Sequence, residues 1–202
     1  MYLDIKKRMM GIKYILILFM VLNCVGLYSQ NKLDKNWEYL RYKDLIHITV
    51  TAKTQKFKVD KYVFETTWDS KQNYSNNIGY YGGIKTMKIY KDNKLLNTIH
   101  KIPDSIALGE IYFNFHDYNF DGYIDFSVFV GSGRGVNNMY FLFNKELNQF
   151  KHYKDWGHIE ITKFNKSKKQ IKFYDPYNAM NGTMYKYQVS GYKLVLLETI
   201  EY

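Results

Sequence analysis

Residues 117–125, Asp-Tyr-Asn-Phe-Asp-Gly-Tyr-Ile-Asp, carry oxygen-bearing side chains at alternate positions. Asp117, Asn119, Asp121 and Asp125 take positions 1, 3, 5 and 9 of a loop, with Gly122 at position 6 and the Tyr123 carbonyl at position 7. Alternate side-chain oxygens converge on one point, and a glycine at position 6 permits the sharp turn that lets a backbone oxygen join them. An all-oxygen donor set selects a hard cation, and this number of acidic and amide ligands favours Ca²⁺ over Mg²⁺, which wants a smaller octahedral shell and keeps its waters. Three carboxylates so close in sequence also repel one another unless a cation or protons neutralise them. The expected metal ligands are therefore Asp117, Asn119, Asp121, Tyr123 and Asp125, with a metal-free Asp/Asn/Gly hairpin turn as the alternative. Position 12 is Val128 instead of Glu, and the flanks IYFNF and FSVFV read as strands, so the loop is a strand–loop–strand site and not an EF-hand.

Other constellations carry less chemistry. Residues 131–135, GSGRG, lack the Lys-Ser/Thr ending and the following helix of a phosphate loop. His47, His100, His116, His152 and His158 show no metal-ligand spacing. A glycosidase needs two free carboxylates, and the best clustered ones are committed to the expected ion. The expectation is a protein that is not an enzyme.

The elements that must position the loop read as β. Segments 44–52, 57–68, 84–91, 110–116, 123–130, 138–144, 158–164, 170–175, 183–190 and 192–199 are short and rich in β-branched and aromatic residues. Turn signals such as Asp92-Asn93, Asn181-Gly182 and Ser190-Gly191 stand between them. Strands at hairpin spacing, without a long amphipathic helical pattern, predict an antiparallel all-β domain. Residues 34–43 are expected to form a short helix. The polar, Asn/Gly-rich residues 69–83 are expected to form a long loop, whose Tyr80 and Tyr81 cover the core or stack on a sugar.

Composition bounds the rest. The 202 residues are 46% hydrophobic and 18% aromatic, enough for a core, which excludes disorder as a description of the whole chain. One Cys excludes a disulfide scaffold and a multi-cysteine zinc site. Lys6, Lys7, Arg8 and Lys13 precede the apolar run 14–25, the layout of an export signal with cleavage near Ser29, and the run is short for a membrane span. The expected organisation is a signal peptide over 1–29 and a single domain over 30–202, placed in the periplasm or secreted. Lipidation at Cys24 is a less favoured alternative, because Asn23 is a poor residue before a lipidated Cys. Losing the leader lowers the formal charge from +10 to +7. Export removes nucleic acid as a partner for that charge and leaves phospholipid, peptidoglycan and other surface polymers.

The run 117–144, Phe150 and the tail 185–198 (YKYQVSGYKLVLLE) resemble a family of exported, calcium-binding bacterial lysozyme inhibitors with a β-propeller-like fold and an integrin-like calcium loop. The resemblance spans about residues 84–202 and rests on three features. These are the calcium loop, the glycine-rich segment leading into an Asn-x-x-Tyr strand at 137–140, and the closing Ser190-Gly191 element within 187–196. It implies a propeller-like single domain that inhibits a peptidoglycan-cleaving muramidase. Some lysozyme inhibitors on other folds insert a Ser-Gly-x-x-Tyr loop into the enzyme's cleft, so the resemblance marks Ser132, Gly133, Arg134 and Tyr140 as the expected inhibitory loop. A serine hydroxyl and an arginine fork suit the two catalytic carboxylates of such an enzyme. The competing expectation is a non-catalytic, calcium-stabilised module that binds a glycan or the cell surface.

Overall fold

A computed structural model describes residues 36–132, 136–157, 159–176 and 181–202. The expected signal peptide, cleavage point and Cys24 lie outside these residues. The chain divides into the units Met1–Glu38 and Tyr39–Tyr202, and everything below concerns the second.

The described residues of the second unit are all-β and form three antiparallel sheets, none of them closed. Each contains four strands that follow one another in sequence. The first is β3 (Gln55–Val59), β4 (Tyr62–Ser75), β5 (Gly79–Lys91) and β6 (Lys94–Pro103). The second is β7 (Glu110–His116), β8 (Asp125–Ser132), β9 (Val136–Asn144) and β10 (Gln149–His152), with β2 (Ile46–Thr51) added beside β7. The third is β11 (Ile161–Asn165), β12 (Gln170–Pro176), β13 (Gly182–Ser190) and β14 (Lys193–Glu201). Tyr39, from β1 (Glu38–Tyr39), flanks β11, and the Leu40 N–H donates to the Thr162 carbonyl at 3.0 Å.

The second sheet is buried on both faces. Side chains alternate across a strand, so Phe141 and Phe143 of β9 enter a core shared with the first sheet, while Tyr140 and Leu142 enter a core shared with the third. This explains why residues 139–143 read as an unbroken apolar run instead of an alternating one. The first core is largely aromatic: Phe126 stacks on Phe141 at 4.7 Å between centroids and meets Phe64 edge-on at 5.9 Å. The second gathers around Trp156, whose indole N–H donates to the Tyr192 carbonyl at 3.0 Å.

Several expectations need correction. Residues 69–83 are not a long loop but the outer half of the β4–β5 hairpin, paired as Asp69↔Gly83, Asn73↔Tyr81 and Ser75↔Gly79. Backbone pairing needs no apolar pattern, so polar side chains hid these strands. The expected strand 57–68 breaks at Asp60, whose positive φ of 53° makes the β3–β4 turn. Residues 34–43 are not the expected helix: a 3-10 turn at Tyr42–Asp44 and the extended Tyr39 stand there among the described residues. Strands β6 and β10 were not expected. Both are edge strands with mixed burial, where hydrophobic alternation is weak.

His152 of β10 packs against Phe141, and its Nε2 is buried without a partner. Burial, then the Lys154 charge, holds its pKa below the ordinary histidine value. The folded state therefore favours neutral His152, and stability is lost as pH falls through the ordinary histidine range and regained as it rises. The urea midpoint of His152→Phe should fall less than that of wild type between neutral and mildly acidic pH. Equal falls would remove His152 from the acid response.

Candidate metal centre

The loop between β7 and β8 is built carboxylate by carboxylate. Asp117 Oδ1 accepts the Asp121 N–H at 3.0 Å and its Oδ2 accepts the Gly122 N–H at 2.9 Å. Asp121 Oδ1 accepts the Tyr123 N–H at 3.0 Å, and its Oδ2 accepts the Asn119 side-chain amide at 3.1 Å. These bonds curl the backbone so that Phe120 and Gly122 adopt positive φ, 60° and 86°. An added Cβ at Gly122 would meet no atom within 4 Å, so glycine is there for its conformation and not for space. The curl turns Asp117, Asn119 and Asp121 onto a common stretch of loop.

Asp125, the first residue of β8, has a further role. It is buried, its Oδ2 accepts the Tyr118 N–H at 2.9 Å, and its Oδ1 accepts the Phe143 N–H at 2.8 Å. One carboxylate thus ties the start of the loop to β9. Burial pushes its pKa well above the usual carboxylate range. The Phe143 amide opposes this, and the charges of Asp121 and Asp117 push it further up. Sequence reasoning named Asp125 as a ligand but had no means of seeing this clamp, because Phe143 stands 18 residues away.

The loop's apolar residues go to different cores. Tyr118 and Phe120 join the second core, where Tyr118 meets Tyr140 edge-on at 4.9 Å and Phe120 meets Phe164 edge-on at 6.1 Å. Tyr123 and Ile124 pack on the first, with Tyr123 stacked on Phe143 at 5.1 Å. Lys61, from the β3–β4 turn, places its ammonium 5.2 Å from the Tyr123 ring centroid. The neighbouring Tyr62 hydroxyl is buried without a hydrogen-bond partner, and burial, then the Asp60 charge, raises its pKa. Lys61 and Tyr62 were missed by sequence reasoning, since neither belongs to the loop's spacing.

No family model, curated protein or solved structure matches this chain.

The donor chemistry can be tested against a calcium ion. Asn119 is 2% exposed and its Oδ1 is buried with no hydrogen-bond partner, an unsatisfied acceptor that a bound cation would satisfy. The carboxylates of Asp117 and Asp121 both act electrostatically on Asp125. These residues fit calcium: two carboxylates, an amide oxygen and a carbonyl are hard donors. Among the described residues no three His, Cys, Asp or Glu side chains are already gathered as a metal cluster. Here the carboxylate oxygens engage loop amides instead.

The expected inhibitory loop is described only in part. Gly133 and Arg134 lie outside the described residues, and only the backbone of Ser132, which ends β8, is described. Tyr140 needs correction: it is 2% exposed in the second core, where its hydroxyl donates to the Ile159 carbonyl at 3.2 Å. Inward β9 alternation places its ring out of reach of an external enzyme.

Proposed function

We propose that this chain is an exported, non-catalytic binding domain whose integrity depends on calcium held by Asp117, Asn119, Asp121 and the Tyr123 carbonyl, with Asp125 at the base of the site. The carrying observation is the unsatisfied, buried Asn119 Oδ1 in a loop whose neighbours Tyr118 and Tyr123 feed two separate cores. A cation there would screen the crowded carboxylates and hold both cores to one loop. The three consecutive four-stranded meanders support a propeller-like reading in which each sheet is a blade.

Two partner classes follow. The sequence resemblance supports a muramidase, and the exposed aromatic side chains of the β4–β5 hairpin support a surface glycan. With Tyr140 in the core, the glycan is the reading the geometry favours. The purified protein should be retained on insoluble cell-wall polysaccharide in calcium and released by chelator, without protecting cells from a panel of muramidases. Dose-dependent protection would instead support the inhibitor. Neither retention nor protection, from a folded protein in calcium, would overturn the binding-domain reading.

A further inference from the structure

The outer half of the β4–β5 hairpin and the 104–109 turn flank an open, shallow pocket of about 460 Å³. This is within the range of small-molecule sites. Trp68 and Tyr80 make its aromatic wall, Tyr81 lines it from the same strand as Tyr80, and Ser70, Asp104 and Ser105 bring polar groups. The hairpin is shaped for this. Its register shifts at Thr67/Trp68 and again between Asp69 and Asn73, breaking the regular alternation at the pocket. A Cβ at Gly82 would stand 2.4 Å from the Trp68 Nε1, so glycine lets the indole lie against the β5 backbone. The Asn73 amide donates to the Gly82 carbonyl at 3.1 Å and steadies the strand below. Tyr80 is 66% exposed with Tyr74 edge-on beside it at 5.1 Å, which leaves a large aromatic surface open to solvent.

Asp104 supplies the second, independent observation. It is 1% exposed; its Oδ2 accepts the Gly109 N–H at 2.6 Å, and its Oδ1 is buried with no hydrogen-bond partner. Among the described residues no salt bridge to Asp104 is formed. A buried carboxylate oxygen without a donor is costly, and its presence at a pocket wall calls for one.

Two ligand chemistries supply a donor against aromatic faces, a sugar hydroxyl and an organic ammonium. The serine hydroxyls both donate and accept, which suits a polyol, whereas an ammonium needs acceptors alone. The chain's positive charge also repels cations from its surface. We propose that this pocket binds one pyranose ring of a glycan, with a C–H face of the ring on the Trp68/Tyr80 wall and a hydroxyl donating to the Asp104 carboxylate, whose Oδ1 leaves its buried position to accept it. The proposal rests on the binding-domain reading and names its site, which lies on the first sheet, whereas the metal loop lies on the second.

The test uses the full chain and follows the Trp68 indole N–H by NMR, assigned with Trp68→Phe, during titration with glucose, galactose, N-acetylglucosamine and choline chloride. At least one of the three sugars is expected to shift that signal at millimolar concentration. Tyr80→Ala, at an exposed position that does not support the core, should weaken binding by about tenfold, and Asp104→Asn, which keeps an acceptor for Gly109, by a smaller factor. Choline binding without sugar binding would overturn the proposal in favour of a cation site. No shift with any sugar would overturn the pocket, and cell-wall retention by the same preparation would show that the domain binds elsewhere. Sugar binding at wild-type strength in both variants would likewise exclude this pocket.

Discussion

Asp125→Ala should be the most damaging single change in the loop, because it leaves the Tyr118 and Phe143 amides without acceptors in buried surroundings. Each buried N–H stripped of its partner costs about 1–3 kcal/mol, and relief from burying the carboxylate returns part of that. A net loss of about 3 kcal/mol is expected, a melting decrease of roughly 6–12 °C for a domain of this size. The loss should be similar in calcium and in chelator, since the two hydrogen bonds form without a metal. Asp125→Asn should fall between, because one side-chain oxygen still accepts while the new NH₂ opposes the other amide. Urea and thermal unfolding in both buffers measure this. A melting temperature within a degree or so of wild type would mean that the clamp contributes little to the link between loop and β9.

Calcium itself should have the next largest effect. A ligand present at 100 times its dissociation constant stabilises the folded state by about 2.7 kcal/mol, a rise of roughly 5–10 °C here. Asp121→Asn isolates that contribution: it retains the oxygen that accepts the Tyr123 N–H and removes one negative charge from the donor set. Calcium affinity should drop by about tenfold or more. In chelator the variant should melt close to wild type, because relief of carboxylate repulsion is offset by the new NH₂ facing the Asn119 amide that Asp121 Oδ2 accepts. Calorimetric titration and paired melting curves test this, and an undiminished calcium shift in Asp121→Asn would sink the assignment of Asp121 as a ligand. The two variants are complementary: Asp125→Ala reports the protein's own hydrogen bonds, and Asp121→Asn reports the ion.

Much of this was legible in the sequence because it is local. The Asp-x-Asn-x-Asp-Gly spacing names its own loop, since an Asx side chain reaches backbone amides only a few residues ahead, as Asp117 does with Asp121 and Gly122. The all-β class follows from β-branched and aromatic segments broken by turn signals, and the hairpin turns at Asp92-Asn93 and Gly191 stand where those signals put them. What tertiary structure decided is non-local. Whether residues 69–83 pair depends on backbone hydrogen bonds between polar segments, to which side-chain pattern is blind. Whether Tyr140 faces solvent or a core depends on the second sheet being covered on both sides, and an apolar run over 139–143 does not tell a reader which neighbour takes which face. Asp125 serving β9, and Asp104 standing beside Trp68 and Tyr80, each join residues more than a dozen positions apart, a proximity that only chain folding creates.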